Sequence, residues 1–390
     1  MQIENKTVDT AGDSSSTHQG YYSSAGWGVS VILCCHNSAR RLPETLTHLA
    51  AQRVEQGLPW EVVVVDNASS DATSDVARAT WPSEAPAPLR VVYEPKPGLS
   101  NARRRGVDQA RYEIISFVDD DNWVCPDWVQ LVVDTMDQHP EVGACGGLIE
   151  PVYEVTPPYW MENFVRRYAV GAQGETEGDI TSSRGWLWGA GLTMRKSAWQ
   201  CLANSGFRTL LLGREGAKLS AGEDVEICWA LRLAGWRIWY NPRMRMRHFL
   251  PAGRLNWTYL RGLYYGFGAA DLGLLPYQYA LDEDSGGRLR QRLKRVWQMQ
   301  AVMSLARLLR HGHKLALFPL RKPEGDADIL QIDRDLARLL ELLRQRGAYN
   351  RRIREIQDAP WARLRGGATH TQSHAHSSSR PVAAMNGDND

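Results

Sequence analysis

The first half of the chain alternates short apolar runs with runs whose apolar residues recur at helical spacing. VSVILCC (29–35), EVVVVD (61–66), LRVVYE (89–94) and YEIISFVDD (112–120) are brief and rich in β-branched residues, as buried strands are. Between them stand three helical stretches. RLPETLTHLAAQ (41–52) has Pro43 near its first turn and Leu42, Leu46 and Leu49 on one side. SSDATSDVARA (69–79) opens on capping residues, and SNARRRGVDQA (100–110) follows the third strand. Such alternation predicts an α/β fold with an open, mostly parallel sheet flanked by helices on both faces. Ligands in these sheets bind outside the carboxyl ends of strands, where Asp66 and the run Asp119, Asp120, Asp121 fall.

Beyond residue 150 the pattern breaks. PVYEVTPPYW, with three prolines, predicts an irregular connection, and GWLWGAGLTMRKSAW (185–199) a glycine-rich strand or loop entering a helix. EDVEICWALRLAGW (223–236) reads as an amphipathic helix with acids at its start and Gly235 at its close. RIWYNPRMRMRHF (237–249) ends in period-two alternation, setting Arg243, Arg245 and Arg247 opposite Met244, Met246 and His248. From about 256 onward the chain is mostly helical. The expected divisions are a disordered lead-in over 1–26, a sheet domain over 27–255, a helical region over 256–365 that is partly basic and amphipathic, and a disordered tail over 366–390.

Composition narrows this little. A net charge of +2 makes no case for a polyanionic partner, so no nucleic acid is expected. Six cysteines without CxxC spacing read as small buried hydrophobes in a reducing, cytoplasmic setting. No apolar stretch approaches the roughly 20 residues that span a bilayer, and the N-terminus lacks the pattern of a secretory signal. His370, His374 and His376 in the tail could bind metal adventitiously. From Arg288 to Lys322 there are ten Arg or Lys and no Asp or Glu, around an apolar stretch VWQMQAVMSLARLL (296–309). That segment either lies on an anionic membrane, at the inner face of the plasma membrane, or packs on the sheet domain with its charges solvated.

The acidic run raises a physical question. If the strand continues through it, Asp119 and Asp121 point the same way, about 6–7 Å apart, and repel by roughly 2–3 kcal/mol at an effective dielectric near 20. A divalent cation would turn that cost into a binding site. Asp66 serves either an Asx-type turn or a hydrogen bond to a nucleobase or ribose. Of Arg103, Arg104 and Arg105, one is expected to point at the sheet edge. Glu223 and Asp224 either complement the dipole of their helix or include a catalytic base. Trp186 and Trp188 are either sugar-stacking platforms or core aromatics.

VSVILCCHNSARRLPETLTHLAAQ, EVVVVDNASSDAT, KPGLSNARRRGV, ISFVDDDNWVCPDW and GEDVEICWALRLAGW stand in an order and spacing that resemble glycosyltransferase family 2 over residues 28–250. The resemblance implies a GT-A type fold and inverting transfer of a sugar from a nucleotide-diphosphate donor to a glycan or lipid-linked hydroxyl. It further implies that Asp66 contacts base or ribose and that Arg103 is the arginine of the usual Ala-Arg-Asn. Asp119 and Asp121 are then the DxD carboxylates, with Asp121 and the later His248 on Mg²⁺ or Mn²⁺. Asn37, Asp120, Glu223, Trp186 and Trp188 fall with the nucleotide-sugar contacts, although Cys34, Cys35 and His36 depart from the family's usual loop. Asp224 matches the general base, which must take the acceptor proton as the new bond forms. A nucleotidyltransferase would want a glycine-rich loop after the first strand, and a processive synthase would want membrane spans and QxxRW; neither is present. A non-catalytic nucleotide-sugar or carbohydrate-binding module is the alternative from another class, and the pairing of Asp66 with Asp224 speaks against it.

Overall fold

The computed structural model describes residues 26–211, 221–282, 296–316 and 324–363, with side chains omitted over 311–316. Residues 1–25 of the expected lead-in and the whole expected tail, with His370, His374 and His376, lie outside the described residues, as do 288–295 and 317–322 of the basic run.

Nine strands form one sheet in the order β3-β2-β1-β4-β8-β6-β9-β5, with β7 pairing β9. They are β1 (Val29–Cys35), β2 (Trp60–Asn67), β3 (Leu89–Glu94), β4 (Ile114–Phe117), β5 (Asn122–Val124), β6 (Val142–Tyr153), β7 (Gly178–Asp179), β8 (Thr193–Arg195) and β9 (Arg237–Leu250). The long pairings β1–β2, β2–β3 and β6–β9 are parallel, as is β1–β4. The short pairings that bring in β5, β7 and β8 are antiparallel. This is the open, helix-flanked α/β sheet expected of a GT-A type domain.

The apolar runs are buried on both faces because helices cover both. Val29, Val31, Leu33, Val62 and Val64 turn to one face, against Leu42, Leu46 and Leu49 of α1 (Leu42–Ala50) and Trp128, Val129 and Val132 of α4 (Trp128–Gln138). Their neighbours Ile32, Val63 and Val65 turn to the other face, against α3 (Leu99–Gln109), α6 (Lys196–Asn204) and α7 (Glu223–Leu233). Truncating one such side chain, as in Leu46→Ala, costs about 2–5 kcal/mol. The remaining short helices of this domain are α2 (Thr73–Thr80) and α5 (Met161–Phe164).

Two sequence expectations are corrected. PVY (151–153) continues β6 instead of opening an irregular connection, paired with His248–Leu250 of β9. The β6 strand is hard to see in sequence because glycines break its apolar pattern. At Gly147 they are needed: a Cβ there would lie 1.6 Å from the Met244 carbonyl oxygen, where the β6–β9 register shifts. Second, β4 ends at Phe117, so Asp119–Asp121 lie in the turn before β5 and not on an alternating strand.

Three long helices follow: α8 (Trp257–Leu281), α9 (Trp297–Ala316) and α10 (Ala327–Gln357). They return to the sheet domain, where Tyr277 of α8, Ile356 of α10 and Trp361 join the core under α7. Trp361 stacks on Tyr277 and meets Phe207 edge-on. On α9, Gln300 and Ser304 are buried, while Val302, Leu305 and Leu309 are 61%, 49% and 72% exposed. On α10, Leu336, Leu340 and Leu343 are likewise exposed. Among the described residues no helix is long and apolar enough to cross a membrane.

Candidate active site

The loops after β1, β2 and β3 are tied to one another by side chains from the β2 end. Asp66 is buried and accepts hydrogen bonds from Ser69 N at 3.1 Å and from the Ser74 hydroxyl. The turn-forming role is therefore real, and it leaves acceptor capacity on both oxygens. Asn67 donates to the carbonyls of Glu94 and Lys96 and accepts from Gly98 N, which fixes the entry to α3. Asn37 has φ 51° and accepts from both the amide and the hydroxyl of Ser70. It locks two loops together at the rim, and His36 Nδ1 meets the Asn67 carbonyl at 2.8 Å.

In the turn after β4 the three carboxylates diverge toward different partners. Asp120 takes a two-pronged contact from Arg41, Nη2–Oδ2 2.7 Å and Nε–Oδ1 3.3 Å. Burial and the neighbouring Asp121 push its carboxyl above its ordinary range, and Arg41 draws it back. Asp121 Oδ2 lies 3.0 Å from Arg254 Nη1, and its Oδ1 lies 3.7 Å from His248 Nε2 and accepts from Asn122 Nδ2. The register explains the meeting with His248: Asn122 of β5 faces His248 of β9, and Phe249 N donates to the Asp121 carbonyl. Asp119 lies within the field of Arg103. Trp123 stacks between His48 and Phe249. Arg41 and Arg254 were not singled out from sequence; a basic residue in a loop carries no mark of the carboxylate it will meet.

Would this turn hold a divalent ion? Asp121 and His248 offer a hard oxygen and an imidazole nitrogen at neighbouring positions. Mg²⁺ and Mn²⁺ keep waters and take phosphate oxygens, so two protein ligands suit them. No group of three or more His, Cys, Asp or Glu positioned to hold a metal ion occurs among the described residues. The donor set fits an ion that arrives with a diphosphate.

The second acidic centre is the start of α7. Of the three adjacent arginines Arg103 points inward, over the Phe117 ring at 5.2 Å, and forms a buried ion pair with Glu223. Burial raises the Glu223 carboxyl, and the Arg103 charge opposes that rise. Asp224, next in sequence, is held by backbone amides: Gly189 N donates to Oδ2 and Val225 N to Oδ1, both at 2.9 Å. Gly189 lies against Arg103: a Cβ there would come within 2.6 Å of Nη2, so a larger residue would have to shift the guanidinium. The 189–192 turn also touches the other acidic centre, because Phe117 N donates to Leu192 O just before the carboxylate turn. Arg103 faces both centres: it pairs with Glu223 and lies within the field of Asp119. A cavity of about 320 Å³ between α3, α6 and α7 shares Arg103 and Glu223 but is lined otherwise by Trp199, Phe207 and their neighbours, away from Asp121.

The tryptophan pair fits the core reading: Trp188 is part of the buried core and Trp186 packs against it. Trp186 and Trp188 meet edge-on at 6.3 Å, and the Arg184 guanidinium lies 3.9 and 4.1 Å from their ring centroids. One face of each ring meets the Arg184 cation. Desolvation lowers Arg184 to about 10, with Arg166 adding like-charge repulsion. Sequence reasoning also passed over Glu226. This fully buried carboxylate accepts from Leu210 N, Leu211 N and the Tyr277 hydroxyl, at 2.7–2.9 Å, and so ties α8 to the loop before α7.

Residues 30–202 match the family model described as glycosyl transferase family 2. A glucosyl-dolichyl phosphate glucuronosyltransferase of Haloferax volcanii is 25% identical over 263 residues, 66% of this chain and 81% of that protein. The succinoglycan biosynthesis protein ExoM of Rhizobium meliloti is 27% identical over 228 residues, 58% of this chain and 68% of its own length. A solved structure of S. aureus TarS 1–349 aligns over 85% of this chain and 90% of its own, with 16% identity and a TM-score of 0.45. The matched region spans β1 to α6 with its motifs set at the strand ends, so this part of the chain is similar to glycosyltransferase family 2.

Proposed function

We propose that the chain is a non-processive, inverting enzyme that moves a sugar from a nucleoside-diphosphate donor to a hydroxyl of a glycan or lipid-linked acceptor. In this reading Asp66 and the loop around Asn37 receive the nucleoside. Asp121 and His248 hold Mg²⁺ or Mn²⁺, which offsets charge on the departing diphosphate. Asp224 faces the acceptor and takes the hydroxyl proton as the new bond forms, when the hydroxyl is most acidic. The carrying observation is Asp224 itself, oriented by Gly189 N and Val225 N beside the pair Arg103–Glu223. Amide donors fix the aim of the carboxylate, as a proton acceptor for a bound hydroxyl requires. Arg103, engaged by Glu223, is a positioning residue for this helix start more than a free phosphate ligand.

The lipid-linked acceptor is supported by a relative whose name includes dolichyl phosphate and by the exposed apolar side chains of α9 and α10. Together with the basic run 288–322 these suit the surface of an anionic membrane, on the cytoplasmic side. Two measurements test the reading. Release of free nucleoside diphosphate, screened over donor sugars with an oligosaccharide and a polyprenyl-phosphate-sugar acceptor, is expected to require both acceptor and Mg²⁺ or Mn²⁺. Donor binding without release against any acceptor would favour a binding module. Co-sedimentation with phosphatidylglycerol vesicles should be strong at low salt and fall as salt rises; absence of binding at low salt would remove the membrane element.

A further inference from the structure

The cation nearest Asp121 belongs to the protein. Arg254 lies in the turn Ala252–Arg254 after β9, its amide bonded to Pro251 O and its carbonyl accepting from the Tyr168 hydroxyl. From there its side chain reaches back over the strand-end turn. One nitrogen, Nη1, is 3.0 Å from Asp121 Oδ2 and 3.3 Å from His248 Nε2. A guanidinium is always a donor, so the 3.3 Å contact is a hydrogen bond only if Nε2 presents its lone pair. An imidazole nitrogen has one lone pair. The atom that would coordinate a metal is therefore the atom facing Arg254, and both cannot be satisfied at once. The same holds in weaker form at Asp121, where guanidinium and metal compete for one carboxylate.

We propose that Arg254 is the resident cation of this site in the nucleotide-free enzyme, that a divalent ion binds by displacing it, and that the displaced guanidinium is received by the donor's diphosphate. The inference rests on the reading of Asp121 and His248 as the metal pair. It adds an order to binding: metal alone competes with a tethered positive charge, whereas metal with a diphosphate gives that charge a new partner. Metal and nucleotide affinities are then coupled, each raising the other by the same factor. Between visits of substrate the acidic turn remains neutralised, so that the carboxylates do not repel one another and Asp121 is not left as a buried, uncompensated charge.

The test is Mn²⁺ binding followed by the paramagnetic resonance signal of the free ion, with wild type, Arg254→Gln, Arg254→Lys and Asp121→Asn. Without nucleotide, Arg254→Gln is expected to bind Mn²⁺ about tenfold more tightly than wild type or better, the strength of a charge-assisted contact removed from competition. Arg254→Lys, which keeps the charge but cannot match the guanidinium fork, should show a smaller gain. It also reports on the idea should the glutamine variant fail to fold, as judged by circular dichroism. Addition of UDP or GDP should tighten Mn²⁺ binding to wild type more than to Arg254→Gln. Unchanged or weaker nucleotide-free affinity in folded Arg254→Gln and Arg254→Lys would overturn the displacement. If wild type with UDP or GDP binds no more Mn²⁺ than Asp121→Asn, the metal reading falls and this inference with it. A nucleotide-dependent site lost in Asp121→Asn, with no gain in either Arg254 variant, would sink the displacement alone.

Discussion

The two acidic centres of the sheet domain are handled in opposite ways. In the turn after β4 each carboxylate lies near an arginine from another element: Asp119 near Arg103 on α3, Asp120 against Arg41 before α1, Asp121 against Arg254 after β9. At the start of α7 the charges are divided. Glu223 takes the buried arginine, and Asp224, though within the fields of Arg103 and Arg184, is hydrogen-bonded by peptide N–H groups. The difference teaches what each place is arranged to meet. A turn matched by arginines is at rest without substrate and can exchange those partners for a cation and phosphates. A carboxylate gripped by amides keeps its aim, which suits a group that meets a neutral hydroxyl.

Breaking the second centre should have the largest effect. Asp224→Asn preserves shape and the Gly189 contact but removes the proton acceptor. Transfer is expected to fall about 10³–10⁴-fold while donor affinity, measured by calorimetry, stays within about twofold. Near wild-type turnover would show that the helix-start reading of Asp224 suffices. The next effect is on stability. Arg103→Met leaves Glu223 buried without its partner and should cost about 3 kcal/mol in urea denaturation. The paired variant Arg103→Met with Glu223→Leu should recover a good part of that loss, and no recovery would argue that Arg103 acts through Asp119 instead.

The smallest effect sharpens the contrast with a third carboxylate. Glu226 has neither an arginine nor open acceptor space, and burial lifts it from 4.5 to about 7 despite its three donors. The folded state then holds a proton that the unfolded chain has lost between those two values. Stability from this group is present in full below pH 4.5 and is lost as pH rises toward 7, by about 3 kcal/mol. Denaturation of wild type and Glu226→Gln at pH 5 and pH 8 should show a steeper loss in wild type, and parallel losses would contradict it.

Legibility followed locality. The strands at 29–35 and 61–66 were readable because a buried parallel strand is an unbroken apolar run, the half-buried edge strand at 89–94 by its β-branched pair, and their helices because a covering helix shows its stripe. The alternation of β9 was also plain, with Met244, Met246 and His248 inward and Arg243, Arg245 and Arg247 outward. The strand β6 was not, since Gly143, Gly146, Gly147 and Pro151 interrupt its apolar run, Gly143 and Gly146 making room for the side chains of Trp236, Leu187 and Gln173 and Gly147 for the backbone of Met244. At the site, Asp66, Asp119–Asp121, Glu223 and Asp224 declared themselves by position at strand and helix ends. Their partners Arg41, Arg254 and Gly189 come from separate loops, and pairing across such sequence distances leaves no local pattern. The expectation that repulsion awaited a metal was incomplete for the same reason: the turn's arginines are distant in sequence. Trp186 and Trp188 were noticed, but the cation between them, Arg184, was not.

The account stands on one cleft in which a metal-bound diphosphate at Asp121 and the carboxylate of Asp224 lie on opposite sides of a sugar. The most direct measurement is a crystal structure with Mn²⁺ and an unreactive nucleotide-sugar analogue, using anomalous scattering to locate the metal. The account predicts a manganese peak about 2.2 Å from an Asp121 oxygen, with the Asp224 carboxylate facing the anomeric carbon from the side away from the diphosphate. A bound analogue with no metal at Asp121, or with Asp224 turned from the anomeric carbon, would contradict it.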